Sequence, residues 1–330
     1  MLRSKPGYAE AHYNKSHALL LLGEFDKGWG LCEGWRWKVE ELIKAGGGKR
    51  NFSQISWHGQ KSLAGKTILL YSEQGYGDTI QFCRYVKLVA NLGARVILEI
   101  QTESLRGLLS DLEGVAQLVV KGNELPDFDF QCSLLSLPLA FKTNIKTIPA
   151  SASYLNSDAI NVAQWKTRLG EKAKPRIGLA WSGNTAHKND NNRSFPLSSL
   201  VKHIPTGFQY VSLQKEVRDV DKPTLQARPD ILNFANELND FSDTAALCEL
   251  MDIVISVDTS VAHLAAALGK PTWILLPFMP DWRWLLDRTD TPWYPSAKLY
   301  RQEAAGDWNG VFERVGADLT RNSRDAPPSK

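Results

Sequence analysis

Apolar residues over the first 45 positions recur at helical spacing, whereas beyond position 65 they gather into short runs between polar turns. Ala9 to Leu22 predicts a helix, with Pro6 just ahead of it; Gly23-Glu24-Phe25 interrupts, and a second helical run follows from Asp26 to about Ile43. AGGGKR (45–50) predicts a flexible joint, and Ser53 to Gly59 leads into the next region. From Lys66 the runs are strand-like. TILLYSEQ (67–74) meets Gly75-Tyr76-Gly77-Asp78, a helical pattern covers Thr79 to Leu92, and ARVILEI (94–100), VAQLVVK (115–121) and DFDFQCSL (127–134) follow as strand candidates. The same grammar restarts after Lys174-Pro175 with RIGLAWSG (176–183), FQYVSLQ (208–214), ILNF (231–234), DIVISVD (252–258) and TWILLPF (272–278). Helical patterns at Ser242 to Met251 and Thr259 to Leu268 sit among them.

Strands alternating with helices predict parallel sheets with helices on both faces. The restart predicts two such sheets. The expected fold is therefore α/β: two Rossmann-like, doubly wound domains whose strand C-termini face a cleft, preceded by a short all-α helical hairpin. The expected boundaries are 1–45 for the hairpin, 46–65 for a linker, 66–160 and 161–320 for the two α/β domains, and 321–330 for a loose tail, with 150–175 as the hinge. A length of 330 residues suits this division.

Composition narrows the class. With 39 basic and 36 acidic residues the formal charge is +3, too small for a chain whose main business is nucleic acid. No apolar run approaches the roughly 18 residues that span a bilayer, and the start MLRSKPGYAEAH lacks the apolar stretch of a secretory signal. Cys32, Cys83, Cys132 and Cys248 lie far apart, without metal or redox spacing, which fits buried thiols in the cytoplasm. Eleven tryptophans, some in GWRW (34–37) and DWRW (281–284), read either as core anchors or as interface residues.

Three loops carry candidate chemistry. In EQGYGDTIQF (73–82), Gly75 and Gly77 allow a sharp turn into a helix, with Gln81 in its first turns. A dinucleotide fingerprint would need a third glycine where Ile80 stands, although Glu99 ends the next strand as a ribose-binding acid would. Asp78 reads either as the cap of that helix or as a carboxylate that takes a proton from a hydroxyl. In AWSGNTAHKNDNNRSFPL (180–197), a strand ends at Ser182-Gly183-Asn184, and Lys188 and Arg193 follow. That is either a solvated basic loop or a partner for a diphosphate. In SVDTSVAHLAAALGKPTWILL (256–276), Asp258, Thr259, Ser260 and His263 open an Ala/Leu-rich helix, whose free amides and hydroxyls suit a phosphate. Asp127-Phe128-Asp129 has an acid-x-acid spacing but alternates like a solvent-facing strand edge, so no metal site is expected.

Taken in order, EQGYGDTIQF, GLAWSGN with RSFPL, and SVDTSVAHLAAALGKPTW resemble the heptosyltransferase-like glycosyltransferases with two Rossmann-type domains, the GT-B architecture. Ser16, Phe25 and Trp29 in the leading hairpin resemble one tetratricopeptide (TPR) repeat, so the closer likeness is to the bacterial branch in which that unit follows such repeats. The likeness runs from about residue 7 to 320, including DWRWLLDRTDTPWYPSAKLYRQ (281–302) and a final helix near Trp308 to Leu319. It implies a sugar transferase acting on a nucleotide-diphosphate sugar, inverting and without a metal or other cofactor. Asp78 matches the general base. Arg193 matches the cation on the donor phosphates, a lysine in heptosyltransferases proper, and Asp258, Thr259, Ser260 and His263 match the donor turn. Gln214 and Lys215 are candidates for the donor-base region. The acceptor is a glycan, a lipid or a protein, and the repeat-like helices could hold a protein partner. Two other readings stand beside this one: a non-catalytic scaffold that binds a partner through its helices and keeps a vestigial or sensory nucleotide pocket, and a sugar-nucleotide epimerase.

Overall fold

The computed structural model describes residues 5–44 and 48–325. The chain forms two compact units, Met1–Leu155 with Asp281–Trp293, and Asn156–Pro280 with Tyr294–Lys330. Helices of seven residues or more are numbered below.

The first unit begins with α1 (Ala9–Leu21) and α2 (Phe25–Trp35), joined by a three-residue turn. Gly28 lets them meet closely, because a Cβ there would lie 2.6 Å from Leu20. Bulky aromatics then tie the pair to its own unit. The Trp29 indole donates to the Thr143 carbonyl at 2.8 Å and meets Trp282 edge-on, and Phe25 faces Trp293. β1 (Ile55–Ser56), β2 (Thr67–Tyr71), β3 (Arg95–Ile100), β4 (Val115–Val120) and β5 (Phe130–Ser133) form a parallel sheet in the order β1-β5-β2-β3-β4. Leu70 sits opposite both Leu98 and Cys132, all buried, as expected of strands covered on both faces. From β2 the chain winds outward to β4 and then returns to β5, so the strand order reverses between β2 and β5. α3 (Tyr76–Phe82) follows β2.

The second unit contains α4 (Ala159–Leu169), β6 (Arg176–Ala180), β7 (Gln209–Ser212), β8 (Ile231–Asn233), α5 (Phe241–Glu249), β9 (Ile253–Val257), α6 (Ser260–Ala267), β10 (Thr272–Leu276), β11 (Ala297–Arg301) and α7 (Trp308–Asp325). Its parallel sheet runs β11-β10-β9-β6-β7-β8, the doubly wound order, with its reversal between β6 and β9. One apolar cluster fills it, from Ile177 and Leu179 through Trp181, Phe195 and Tyr300 to Phe312 and Leu319.

Several expectations change. The second helical run stops at Trp35 and breaks into a tight turn at Arg36–Lys38, because the buried Arg36 side chain takes the chain inward. Residues 1–45 do not stand apart as a domain; they share a unit with the first sheet. The linker of 46–65 holds β1 and the buried Trp57, while 45–47 of the expected joint lie outside the described residues. Residues 150–175 include α4, and the first unit ends at Leu155 but regains Asp281–Trp293. Of the tail 321–330, residues 321–325 extend α7 and 326–330 lie outside the described residues. The 127–134 strand shortens to β5, and Asp129 spends its carboxylate on the Thr67 backbone N–H at 2.8 Å.

Candidate functional site

Each unit carries its candidate residues at the carboxyl ends of its strands, which is where doubly wound sheets hold ligands.

In the first unit Gly75, not Asp78, caps α3. Asp78 lies in the first turn of the helix with Gly77, and its Oδ2 reaches back to accept the Gly75 N–H at 2.9 Å. A carboxylate so placed satisfies an otherwise unmatched amide and favours the positive end of the helix. Its Oδ1 forms an ion pair with Arg283, whose other Nη reaches Asp281 at 2.8 Å and whose Nε donates to Gln81. Arg283 also stacks on Trp282, 4.5 Å from the ring centroid. The carboxylate therefore has fixed partners on both oxygens and lies mostly out of solvent, its side chain 17% exposed. Gln81 is fully buried, bonded to Arg283 through Oε1.

Behind Asp78, at the β2–β5 reversal, lies a buried charge network. The Arg36 guanidinium donates to Glu33, to Glu73 and to the Ser133 and Ser136 hydroxyls. Burial pushes the Glu73 carboxyl up to about 7, with Arg36 pulling the other way. Burial also works against the Arg36 charge, but Glu73 and Glu33 more than offset it and its pKa is raised. His17 of α1 completes the surroundings: burial holds its imidazole below the usual range, and Asp281 opposes that shift.

In the second unit the turn after β9 places Asp258 and Thr259 ahead of α6 and Ser260 at its first position, with Thr259 as an extended N-cap whose side chain makes no capping bond. Thr259 Oγ1 instead lies 3.3 Å from Ser256 Oγ. Arg193 crosses from the loop after β6. One Nη donates to the Asp258 carbonyl at 2.8 Å, while its Nε is buried without a hydrogen-bond partner, the Asp190 carboxylate standing 3.8 Å away. Gly183 makes room for this, since a Cβ there would lie 2.6 Å from Arg193 Nη2. Ser182 is buried, with its Oγ unpartnered.

The remaining candidates play supporting parts. His263 is buried, with Nδ1 2.8 Å from the Tyr294 hydroxyl and Nε2 3.8 Å from Asp258, so it braces the turn from inside. Gln214 ties the ends of β6 and β7 together, accepting from the Trp181 and Ser182 N–H groups and donating to the Ser182 carbonyl. Lys215 donates to the Leu238 carbonyl, and Asn184 closes its own turn by accepting from Ala186. The sequence reading missed Arg283 and Arg36 in the first unit. It also missed Arg218 in the second, which pairs with Asp190 at 2.5 Å and donates to the Gly183 carbonyl. The only available signal was an arginine between tryptophans, in GWRW and DWRW. Among the described residues, no group of three or more His, Cys, Asp or Glu is arranged to hold a metal, and no helix is long and apolar enough to cross a membrane.

Comparison with known proteins adds a set of likenesses. Residues 214–275 match the sequence model of glycosyltransferase family 9 (heptosyltransferase), a span that holds residues 258–263 but neither Asp78 nor Arg193. Protein FlbA of Caulobacter vibrioides is 25% identical over 96% of this chain, and the chain spans 62% of that protein's length. Among solved structures, a family 9 glycosyl transferase from Veillonella parvula superposes with a TM-score of 0.57 at 10% identity, covering 80% of this chain and 98% of its own. The ADP-heptose LPS heptosyltransferase II of E. coli gives 0.52 at 14% identity, covering 78% and 99%. The fold is thus that of these glycosyltransferase structures.

Proposed function

We propose that the protein moves a sugar from a nucleotide-diphosphate sugar to an acceptor hydroxyl. The observation that carries this reading is Arg193: a mostly buried cation that donates one Nη to the Asp258 carbonyl, keeps an Nε without a hydrogen bond, and lies against the start of α6, whose cap residue makes no side-chain bond, at the strand-order reversal of the second sheet. Peptide N–H groups and a guanidinium together offer what a diphosphate needs, both when it binds and as it leaves. The likeness to an ADP-heptose transferase favours an ADP-linked donor.

In this reading the diphosphate lies on Arg193, Thr259 and Ser260, with Asp258 and His263 holding the turn. Asp78 accepts the proton of the attacking hydroxyl. Its bonds to Gly75 and Arg283 keep it aimed, and a carboxylate oxygen retains a lone pair for a further hydrogen bond. One displacement from the face opposite the leaving group inverts the anomeric carbon. The charge on the departing diphosphate is met by Arg193 and the α6 amides, and the reaction needs no metal. The acceptor is a glycan, a lipid or a protein. The scaffold reading has less support, because Trp29 and Arg36 of the repeat-like hairpin are spent inside the first unit.

The test is thermal unfolding with UDP-, GDP-, ADP- and dTDP-sugars. A ligand at about a hundred times its dissociation constant adds roughly 2.7 kcal/mol, a shift of several degrees. The expected result is a shift with an ADP-sugar that Arg193→Ala abolishes. A shift that survives in that variant refutes the assignment of Arg193.

A further inference from the structure

We propose that the second unit holds a separate binding site for a neutral saccharide, in the cavity of about 510 Å³ between the loop after β6, the loop after β10 and the turn from β11 into α7. Its volume is in the range of small-molecule sites. None of Arg193, Asp258, Thr259, Ser260 or His263 lines it, so it is distinct from the donor turn and does not depend on that assignment.

The lining determines the ligand class. Trp308 and Phe312 lie nearly parallel with ring centroids 6.1 Å apart, and Phe195 tilts against both at 4.9 and 4.7 Å. Phe195 and Phe312 are buried, and the half-buried Trp308, backed by them, is the ring that meets polarised C–H groups. Around them stand planar amides, Asn191, Asn192 and Asn309, each able to donate and accept at once. A pyranose has the matching surface, with one face of C–H groups and a rim of hydroxyls that both donate and accept. A purely apolar ligand would bury those amides without partners. An anion is excluded on charge: the lining contains no Lys, Arg or His, and its one ionisable group is the acidic Asp307.

Gln302 gives the site an unmet donor. Its Oε1 accepts from the Phe278 N–H at 3.1 Å and the Gly306 N–H at 3.0 Å, which fixes the orientation of the amide. Its Nε2 is buried and has no hydrogen-bond partner, in a side chain that forms part of the cavity wall and is only 5% exposed. A buried N–H of this kind is costly to leave unmatched, and a sugar hydroxyl oxygen supplies the acceptor. Phe278 and Met279, both exposed, stand at the rim.

The experiment is saturation-transfer NMR on the full chain with methyl α-mannoside, methyl β-glucoside and methyl β-N-acetylglucosaminide, with and without ADP. The expected result is transfer to at least one glycoside, unchanged by saturating ADP and weakened about tenfold in Gln302→Glu, which keeps the accepting oxygen and removes the donor. Asn309→Ala alters an exposed side chain and is the second variant; it lowers the signal without changing the melting temperature. Three results overturn the proposal: no transfer to any glycoside at about 50 mM, the weak end of specific binding; transfer undiminished in both variants; or transfer abolished by ADP, which would put the sugar on the donor turn. ADP binding in the same samples reports on the donor assignment separately, so the two readings can fail independently.

Discussion

Each unit reverses its strand order once, between β2 and β5 in the first and between β6 and β9 in the second, and each places an arginine at that reversal. The arginines are treated differently. The Nη atoms of Arg36 engage two carboxylates and two serine hydroxyls, in a side chain 2% exposed. Arg193 has one backbone carbonyl and a carboxylate at 3.8 Å. The same topology makes the same crevice twice, but Arg36 is saturated by two carboxylates and two serines, whereas Arg193 shares Asp190 with Arg218 and keeps an Nε without a hydrogen bond. The first crevice is thereby closed by the protein's own charge network, and in the proposed reading the second is the place for an anion. This also explains why the repeat-like hairpin belongs to the first unit: α2 leads directly to the residue that fills the crevice.

The most severe break should come at Asp78. Asp78→Ala is expected to lower turnover by about 10²–10⁴-fold, the usual worth of a general base, while nucleotide affinity stays within twofold. Single-turnover kinetics beside a nucleotide titration checks this; equal losses in both would make Asp78 a structural brace of the first turn of α3 alone. Next is Arg36→Met, which leaves Glu33 and Glu73 without their cation. A loss of about 3–5 kcal/mol is expected in chemical denaturation, because an unmatched buried charge costs more than the pair it came from contributed. Adding Glu73→Gln should recover part of that loss. Strict additivity would show that the two groups do not interact.

How much of this was readable in advance follows from the range of the interactions. β2, β3, β9 and β10 are short apolar runs bounded by turns, and their loops pointed to Asp78 and to 258–263. β11 (AKLYR) carries Lys298 and Arg301 at the edge of its sheet, and α4 buries only Trp165 and Leu169, so neither run stands out. The Asp78–Arg283 and Arg36–Glu73 pairs join residues 205 and 37 positions apart. No local pattern encodes such pairs; the fold has to be built first. Gln214 and Lys215 were selected for lying after a strand, but position alone does not separate a group that meets ligand from one that braces the backbone.

Acidity offers a quieter probe of the first crevice. Burial raises the Glu73 carboxyl from its ordinary value of 4.5 to about 7. The folded state therefore holds that proton more tightly than the unfolded chain does. Its contribution to stability is fully present below about pH 4.5 and is lost as the pH rises through 7. Glu33 runs the other way: its carboxyl is lowered to about 2, since its bonds to His58 and Arg36 outweigh burial, and its contribution is lost as the pH falls below about 4.5. Glu73→Gln should flatten the stability profile between pH 4.5 and 7 by about 1–3 kcal/mol and leave the more acidic limb unchanged. An unaltered slope in that window would mean that Glu73 is ionised throughout.

The smallest change tests the second crevice from beneath. Gly183→Ala adds one methyl at a position where the nearest atoms are the Nη2, Cζ and Nε of Arg193, at 2.6 to 3.0 Å. Those atoms belong to the end of a flexible side chain, so the fold tolerates the methyl by moving the guanidinium, and stability should shift by less than about 1 kcal/mol. The moved guanidinium loses its bond to the Asp258 carbonyl and its alignment with the start of α6. Affinity for the nucleotide should then fall about three- to tenfold with little effect on unfolding, near 1 kcal/mol of binding energy. Isothermal titration of both proteins decides it. If affinity is unchanged while the arginine has moved, the anion does not depend on Arg193, and the contrast between the two crevices loses its chemical meaning even though the geometry stands.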